Sequence, residues 1–250
     1  MTMSSPIQVL SYGGGRQTVA MCLLIEQGKI PRPDRVVIAD TGREKPSTWE
    51  YLDEIMQPRM ERIGLPVEIA PRALSYVDLY AHNGDLLIPA YTATGKLSAF
   101  CSTEWKARVV SRYLRATGAA THTSWIGFAW DERKRIKGRE GRAFPLIDMT
   151  LTKADCRRII FDSGLPLPPP SACWMCPNMS NEEWRFVRDT YPDAWQQACK
   201  LDEDIRQEDI AQGHAGVWLH SSRTPLRNAP IDEDDGRAEG RQCGLGMCFV

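Results

Sequence analysis

The sequence has no long hydrophobic run. No segment approaches the ~18 apolar residues of a membrane-spanning helix. The first residues, MTMSSPIQVLSYGGG, also lack the basic and apolar regions of a signal peptide. Charges of one sign are not in excess, because 31 Lys and Arg face 32 Asp and Glu, a net charge of −1. This balance excludes a wholesale polycation but allows a local basic patch. We therefore expect a cytoplasmic protein with no membrane partner.

Cysteine is too sparse for a disulfide framework: eight residues are scattered over a chain of 250. The thiols are therefore expected to be free or bound to metal. Three cysteines lie in amphipathic helical patterns and are predicted to be buried structural thiols: Cys22, Cys156 and Cys199. The other five lie in loop-like segments rich in Gly, Pro or Ser and require another explanation: Cys101, Cys173, Cys176, Cys243 and Cys248.

Strand-like and helical patterns alternate along the first two thirds of the chain. The β-type runs are 7–12, 35–42, 66–70 and 122–130. This alternation predicts an α/β fold, a Rossmann-like three-layer domain with a parallel sheet, over residues 1–165. Residues 166–250 are predicted to form a cysteine-containing extension of helices and loops packed on that domain. Capping boxes predict three helix starts, at Ser47 with Glu50, Thr152 with Asp155 and Ser180 with Glu183.

Three consecutive glycines, Gly13–Gly15, separate the first strand from the first helix. Glycine lets the backbone approach an anion and adopt positive φ, and a helix N-terminus presents N–H groups and a positive dipole. The spacing matches neither GxxxxGK[ST] nor GxGxxG. A tight turn is the plainer interpretation, but three glycines exceed what a turn needs. The pattern therefore favours a phosphate site.

The segment SYGGGRQT resembles the pyrophosphate (PP) loop of the adenine nucleotide alpha-hydrolase superfamily, whose usual form is SGGxDS. Here Gly13 stands at the first Ser, Gln17 replaces the Asp, and Thr18 replaces the last Ser. Within that superfamily the chain is similar to the phosphoadenosine phosphosulfate (PAPS) reductase family, whose DTGxxFPET segment resembles residues 40–48. The resemblance implies that an adenine nucleotide is held by Ser11, Gly13, Gly14, Gly15, Arg16, Gln17, Thr18, Asp40, Thr41 and Gly42.

Further segments follow in the order of that family, up to about residue 177. They are CSTEWK at 101–106, the strand and arginine-bearing loop at 125–133, FPLIDMT at 144–150 and SACWMCP at 171–177. The last resembles the S-x-C-x-x-C-P of the iron–sulfur members. The tail QCGLG at 242–246 resembles the ECGLH ending that carries the catalytic thiol of the reductases, with Gln for Glu and Gly for His.

The Cys173-x-x-Cys176 spacing brings two thiolates within reach of one ion or cluster, although redox pairs and structural loops share it. The resemblance adds Cys101 as a third ligand, and we choose Cys248 as the fourth, with Cys243 left as a redox thiol. It favours a [4Fe–4S] cluster, with zinc as the runner-up, because spacing alone cannot distinguish them.

Residues 133–142 contain six Lys or Arg and one Glu. This basic run is either a solvated loop or a contact for phosphate, for nucleic acid or for a protein partner, because Arg binds phosphate with bidentate geometry.

The resemblance implies an enzyme that acts on an adenine nucleotide, through one of two chemistries. In the first, ATP, with Mg²⁺, is split at its α-phosphate to adenylate an acceptor for sulfur transfer. In the second, a thiolate attacks the sulfur of an adenylyl sulfate and releases sulfite. The predicted catalytic residues are Cys243, Lys106 and Arg133. Since the loop Asp is replaced and the tail altered, the alternative is an inactive accessory protein that binds nucleotide or nucleic acid.

Overall fold

A computed structural model describes residues 6–236. Its main sheet has five strands, all parallel, in the order β3-β2-β1-β5-β6. These strands are β1 (Ile7–Ser11), β2 (Arg35–Ala39), β3 (Val67–Ala70), β5 (His122–Trp125) and β6 (Arg142–Ala143). A separate antiparallel pair is formed by β4 (Tyr91–Thr92) and β7 (Val217–Trp218). The predicted parallel α/β sheet, beginning at Ile7–Ser11, is confirmed.

Eight α-helices are found in the described part of the chain. They are α1 (Arg16–Glu26), α2 (Pro46–Tyr51), α3 (Gln57–Arg62), α4 (Arg108–Ala116), α5 (Pro145–Asp148), α6 (Lys153–Asp162), α7 (Asn181–Thr190) and α8 (Pro192–Ala211). Two π-helical turns extend them: Leu52–Met56 joins α2 to α3, and Thr103–Ala107 leads into α4. In residues 6–236, no helix is both long and apolar enough to cross a membrane.

The sheet is covered by helices on both faces, because successive residues of a strand point to opposite sides. On one face, Leu10 of β1 packs with side chains of α1, α3 and α6 in the largest buried cluster. On the other face, Val9 packs against Val109 and Leu114 of α4. These two apolar interfaces make the domain three-layered, as expected for a parallel sheet.

The C-terminal helices pack beside the sheet rather than on its faces. Trp184 of α7 and Ile205 of α8 share a buried cluster with Leu87, Ile88 and Trp105 of the preceding half. Through this cluster, side chains from residues 171–231 pack directly against side chains of the first half of the chain. The boundary predicted at residue 165 stays a prediction.

Two of the three predicted capping boxes are confirmed. Thr152 and Ser180 each accept a hydrogen bond from the backbone N–H three residues on, at the start of α6 and α7. The box at Ser47 is wrong, because α2 begins at Pro46 after Lys45. Glu50 instead accepts a hydrogen bond of 2.8 Å from the hydroxyl of Tyr191, a contact between distant parts of the chain.

Candidate functional site

The glycine loop joins the central strand β1 to α1 at the carboxyl edge of the sheet. The chain runs outward from β1 through β2 to β3 and then returns to place β5 on the other side of β1, so this edge is the switch point at which open α/β sheets bind ligands. Gly14 has φ +69°, a conformation that favours glycine. Gly15 is the N-cap of α1 and has no side chain to cap it. A helix N-terminus with no capping side chain is what an anion site requires.

Three other segments pack closely around this loop. A β-carbon on Gly14 would lie 2.5 Å from Cγ2 of Thr48, in α2, and one on Gly15 would lie 3.0 Å from Oγ of Ser171. A β-carbon on Gly127, just after β5, would lie 2.9 Å from Cγ2 of Thr18. The loop is therefore enclosed by segments that are far apart in the sequence.

The first turn of α1 binds a carboxylate that sequence reasoning missed. Gln17, at the position of the family's Asp, donates from Nε2 to Oε2 of Glu132 at 3.1 Å. Glu132 is buried within the segment Trp130–Arg135, and it forms ion pairs with Arg135 and Lys153. The only sequence signal for the role of Glu132 is that it is an acidic residue next to a basic run. A buried carboxylate from the segment that follows β5 thus lies against the first turn of α1. The hydroxyl of Thr18 donates to the carbonyl of Gly15 at 3.0 Å.

Residues 40–42 form a turn at the carboxyl end of β2. Asp40 accepts a hydrogen bond from the Gly42 N–H at 2.7 Å, and the buried Thr41 accepts one from the Arg43 N–H at 3.1 Å. A cavity of about 400 Å³ opens beside this turn, within the range of small-molecule sites. Its lining includes Asp40, Thr41, Arg43, Arg72, Tyr76 and Trp105.

The Cys173 segment is hydrogen-bonded to the chain that follows this turn. Glu44 and Cys173 form an antiparallel bridge, the Lys45 N–H donates to Ala172 O at 3.1 Å, and the Trp174 N–H donates to Arg43 O at 2.9 Å. Backbone pairing therefore joins the segment after the turn at residues 40–42 to the CxxC segment, although they belong to opposite halves of the chain.

The structure brings Cys101, Cys173 and Cys176 against one hydrophobic cluster. Burial raises the pKa of the Cys101 thiol to about 12, and it also raises the pKa of Cys173 and of Cys176. A negative charge on Cys176 further raises the pKa of the other two thiols, so the three lie within electrostatic range of one another. Without a bound cation, these thiols are neutral at physiological pH. The predicted structural thiols Cys22, Cys156 and Cys199 are buried, as expected.

Two lysines face the thiols. Lys106, in the π-helical turn before α4, places Nζ 2.6 Å from Oε1 of Glu44. Burial lowers the pKa of Lys106, but the Glu44 carboxylate more than offsets this, and the net shift is upward. Lys45 is 0% exposed, and burial lowers its pKa. Sequence reasoning missed Lys45, which stands where the DTGxxFPET pattern has Phe.

No three His, Cys, Asp or Glu side chains among residues 6–236 are arranged to hold a single metal ion. The described thiols therefore do not form a compact zinc site, whose ligands all lie ~2.3 Å from one ion. Three partly buried sulfur donors, with the buried Lys45 and the partly exposed Lys106 nearby, are the kind of donors that a larger, anionic iron–sulfur cluster takes. Cys248, the predicted fourth ligand, and Cys243, the predicted redox thiol, both lie outside the described residues.

Arg133 does not join this group of side chains. It is exposed, its guanidinium lies 4.7 Å from the Trp130 ring centroid, and it donates to the Trp130 carbonyl at 3.1 Å. Elsewhere in the basic run, Arg139 pairs with Asp148. Three further cations of the basic run, Lys134, Lys137 and Arg142, form no ion pair within the described part of the chain.

No protein-family model matches the chain. It is similar to a protein described as an uncharacterized nin region protein, ORF290, of Escherichia phage lambda, with 26% identity over 54% of this chain and 52% of that protein. It is also similar to an exodeoxyribonuclease 7 large subunit of Sinorhizobium fredii, with 25% identity over 58% of this chain and 27% of that protein. The chain thus spans about half the length of the first relative and about a quarter of the second.

Proposed function

We propose that the chain is an adenine-nucleotide-dependent enzyme of the PAPS reductase-like type. The phosphates of the nucleotide would bind at Gly13–Thr18, and its adenosine would occupy the cavity beside Asp40–Gly42. One observation carries this proposal: an uncapped glycine loop and a cavity of about 400 Å³ lie on the same carboxyl edge of a parallel sheet. The order of the matched motifs along the sequence supports the choice of nucleotide.

Cleavage of ATP between its α- and β-phosphates is the chemistry that needs the fewest further groups. The loop backbone would bind the departing pyrophosphate, and Mg²⁺ would accompany the phosphates, which are its usual ligands. Lys106 is held in place by Glu44 and would place a positive charge at the same edge. Reduction of an adenylyl sulfate is the second candidate, favoured by the shared position of Cys101, Cys173 and Cys176. That reaction additionally requires the thiol of Cys243.

The phosphate site can be tested with Gly15→Asp. Asp is a favourable N-cap residue, so α1 should be preserved once the Ser171 side chain moves away from the new β-carbon, while the carboxylate repels phosphate. We expect the affinity for ATP or adenylyl sulfate, measured by calorimetry on the full chain, to fall at least ~10-fold.

Gly95→Asp is the matched control, because its β-carbon would meet no atom within 4 Å and the charge change is the same. It should bind nucleotide like the unmodified chain. Equal affinity in a folded Gly15→Asp protein would exclude the loop as the phosphate site.

The reaction is distinguished by its products. Pyrophosphate released from ATP in the presence of Mg²⁺ identifies α-phosphate cleavage, and sulfite released from adenylyl sulfate identifies reduction. Nucleotide binding with neither product identifies the inactive accessory protein.

The basic run supports a further proposal about partners, either nucleic acid or protein. Lys134, Lys137 and Arg142 are not neutralised by carboxylates in the described part of the chain, and phosphate backbones are bound by such cations. The exodeoxyribonuclease name of one relative agrees with nucleic acid. Lys134→Ala with Lys137→Ala should weaken oligonucleotide binding and flatten its salt dependence, measured by fluorescence anisotropy. Unchanged binding would leave an acidic protein as the partner to test.

A further inference from the structure

Lys45 is a buried cation with an incomplete set of partners. Its backbone is fixed from two sides, because its N–H donates to Ala172 O and its carbonyl accepts from the Thr48 N–H at 2.9 Å. Its side chain is fully buried. Within residues 6–236, its Nζ forms no hydrogen bond, and its one ion pair is with Oε1 of Glu183 at 3.9 Å.

Glu183 compensates this charge only partly. Its Oε2 accepts hydrogen bonds from the N–H and hydroxyl of Ser180, where it completes the capping box of α7. At 3.9 Å the other carboxylate oxygen is beyond hydrogen-bond distance of Nζ. A buried ammonium with no hydrogen bond is unfavourable. The position is explained if a second anion lies beside Lys45.

The Glu44 carboxylate also acts on Lys45, but it is paired with Lys106, so the thiols of the CxxC segment are the groups left to carry that anion. Cys173 and Cys176 lie within electrostatic range of Lys45, and the pairing of residues 43–45 with 172–174 holds them there. Metal binding deprotonates a thiol outright. A metal–thiolate group would thus create negative charge next to the buried ammonium.

We propose that Lys45 is a positioning residue that stabilises the negative charge of an iron–sulfur cluster bound through Cys173 and Cys176. This inference rests on the iron–sulfur part of the proposed function. It concerns a position at which the chain departs from the DTGxxFPET pattern, because Lys45 stands in place of Phe. A cationic side chain at this depth stabilises negative charge on the cluster, so it favours retention of the cluster and raises its reduction potential.

The test compares Lys45→Met with Lys96→Met in the full chain, purified anaerobically. Methionine keeps the apolar length of the lysine but removes its charge. Lys96 is the matched control. It also approaches the CxxC segment, through Asn178 and the Pro177 carbonyl, and its charge also acts on Cys176, but solvent screens its exposed ammonium. Three quantities are measured: the rate of iron loss to a chelator, the midpoint potential, and the urea midpoint of the metal-free protein.

We expect Lys45→Met to lose iron ~10-fold faster and to shift the midpoint potential to more negative values, with Lys96→Met close to the unmodified protein. Metal-free Lys45→Met should be at least as stable as the metal-free parent, because the change removes a poorly compensated buried charge. A merely structural lysine would give the opposite result in the metal-free protein.

Unchanged iron loss and potential in Lys45→Met would overturn the inference, and so would equal effects in Lys96→Met. Failure of metal-free Lys45→Met to fold would also overturn it, in favour of a structural ion pair with Glu183. Nucleotide binding is measured on the same samples. A parent protein that binds nucleotide but no iron refutes the role of Lys45 and leaves the nucleotide proposal standing.

Discussion

The methyl group of Thr48 occupies the space that a side chain at Gly14 would need, since a β-carbon there would lie 2.5 Å from Thr48 Cγ2. Gly14 also has φ +69°, so alanine is disfavoured twice. We expect Gly14→Ala to lower the free energy of unfolding by about 1–3 kcal/mol, measured by urea titration. Thr48→Ser, which removes the methyl group, should recover part of that loss in the double variant. If the effects of the two substitutions on the free energy of unfolding were strictly additive, the contact between positions 14 and 48 would be contradicted.

Asp202 connects α8 to the segment after it. Its carboxylate, 1% exposed, accepts hydrogen bonds from the N–H groups of Leu219 and Leu226 and pairs with Arg206 at 2.6 Å. Asp202→Ala would leave two buried N–H groups unpaired and would remove one of the two carboxylates that pair with Arg206. We expect a loss of about 3 kcal/mol or more in urea unfolding.

Asp204 is the matched control on the same helix, because its ion pair with Lys200 is exposed. Asp204→Ala should change the stability by no more than about 0.5 kcal/mol. Comparable losses in the two variants would indicate that helix α8 itself, rather than the buried network, is sensitive to substitution.

The ionisation of Glu68 makes part of the free energy of unfolding depend on pH in the acid range. Hydrogen bonding to Arg35 lowers the pKa of the Glu68 carboxyl, and Tyr113 also donates to it at 2.9 Å. Because the folded pKa lies below the unfolded value of about 4.3, this stabilisation is complete above that pH and is lost as the pH falls through the folded pKa. Glu68→Gln should cost about 1 kcal/mol at pH 7. The difference should disappear in acid, as measured by urea midpoints over a pH series.

An aspartate at position 17, as in the SGGxDS pattern, is predicted to destabilise this chain. Gln17→Asp would replace the amide that donates to Glu132 with a second carboxylate, and like charges at a buried site repel. We expect a loss of about 1–2 kcal/mol in urea unfolding. The double variant Gln17→Asp with Glu132→Gln, which exchanges the two groups, should be more stable than the single variant. If the second change adds a further loss, Glu132 is required by Arg135 and Lys153 instead.

The sequence predicted the parts of this molecule that depend on local patterns. Periodicity and turn residues identify β1, β2 and β3 and the glycine loop between β1 and α1. The strand predicted at 122–130 ends at Trp125, because the chain turns at Ile126 and Gly127 to pack on α1.

Features set by contacts between distant segments could not be predicted in this way. Lys45 lies in a polar, turn-like sequence, and only the pairing with Ala172 and the packing of α7 bury it. The short pair of β4 and β7 joins residues from opposite ends of the chain, and its two-residue strands carry no periodicity. The predicted ligands at Cys101 and Cys173 were related by the family resemblance, since spacing gives no reason for them to approach.

The bridge between Glu44 and Cys173 also has a consequence for synthesis on the ribosome. About half the chain separates these two residues, and every strand of the main sheet precedes the CxxC segment in the sequence. Ser171, which covers Gly15, arrives equally late. A nascent chain that has completed β1 to β6 therefore has a glycine loop open on one side. The last third of the chain closes that open side. Only at this step of synthesis do the two halves of the site come together.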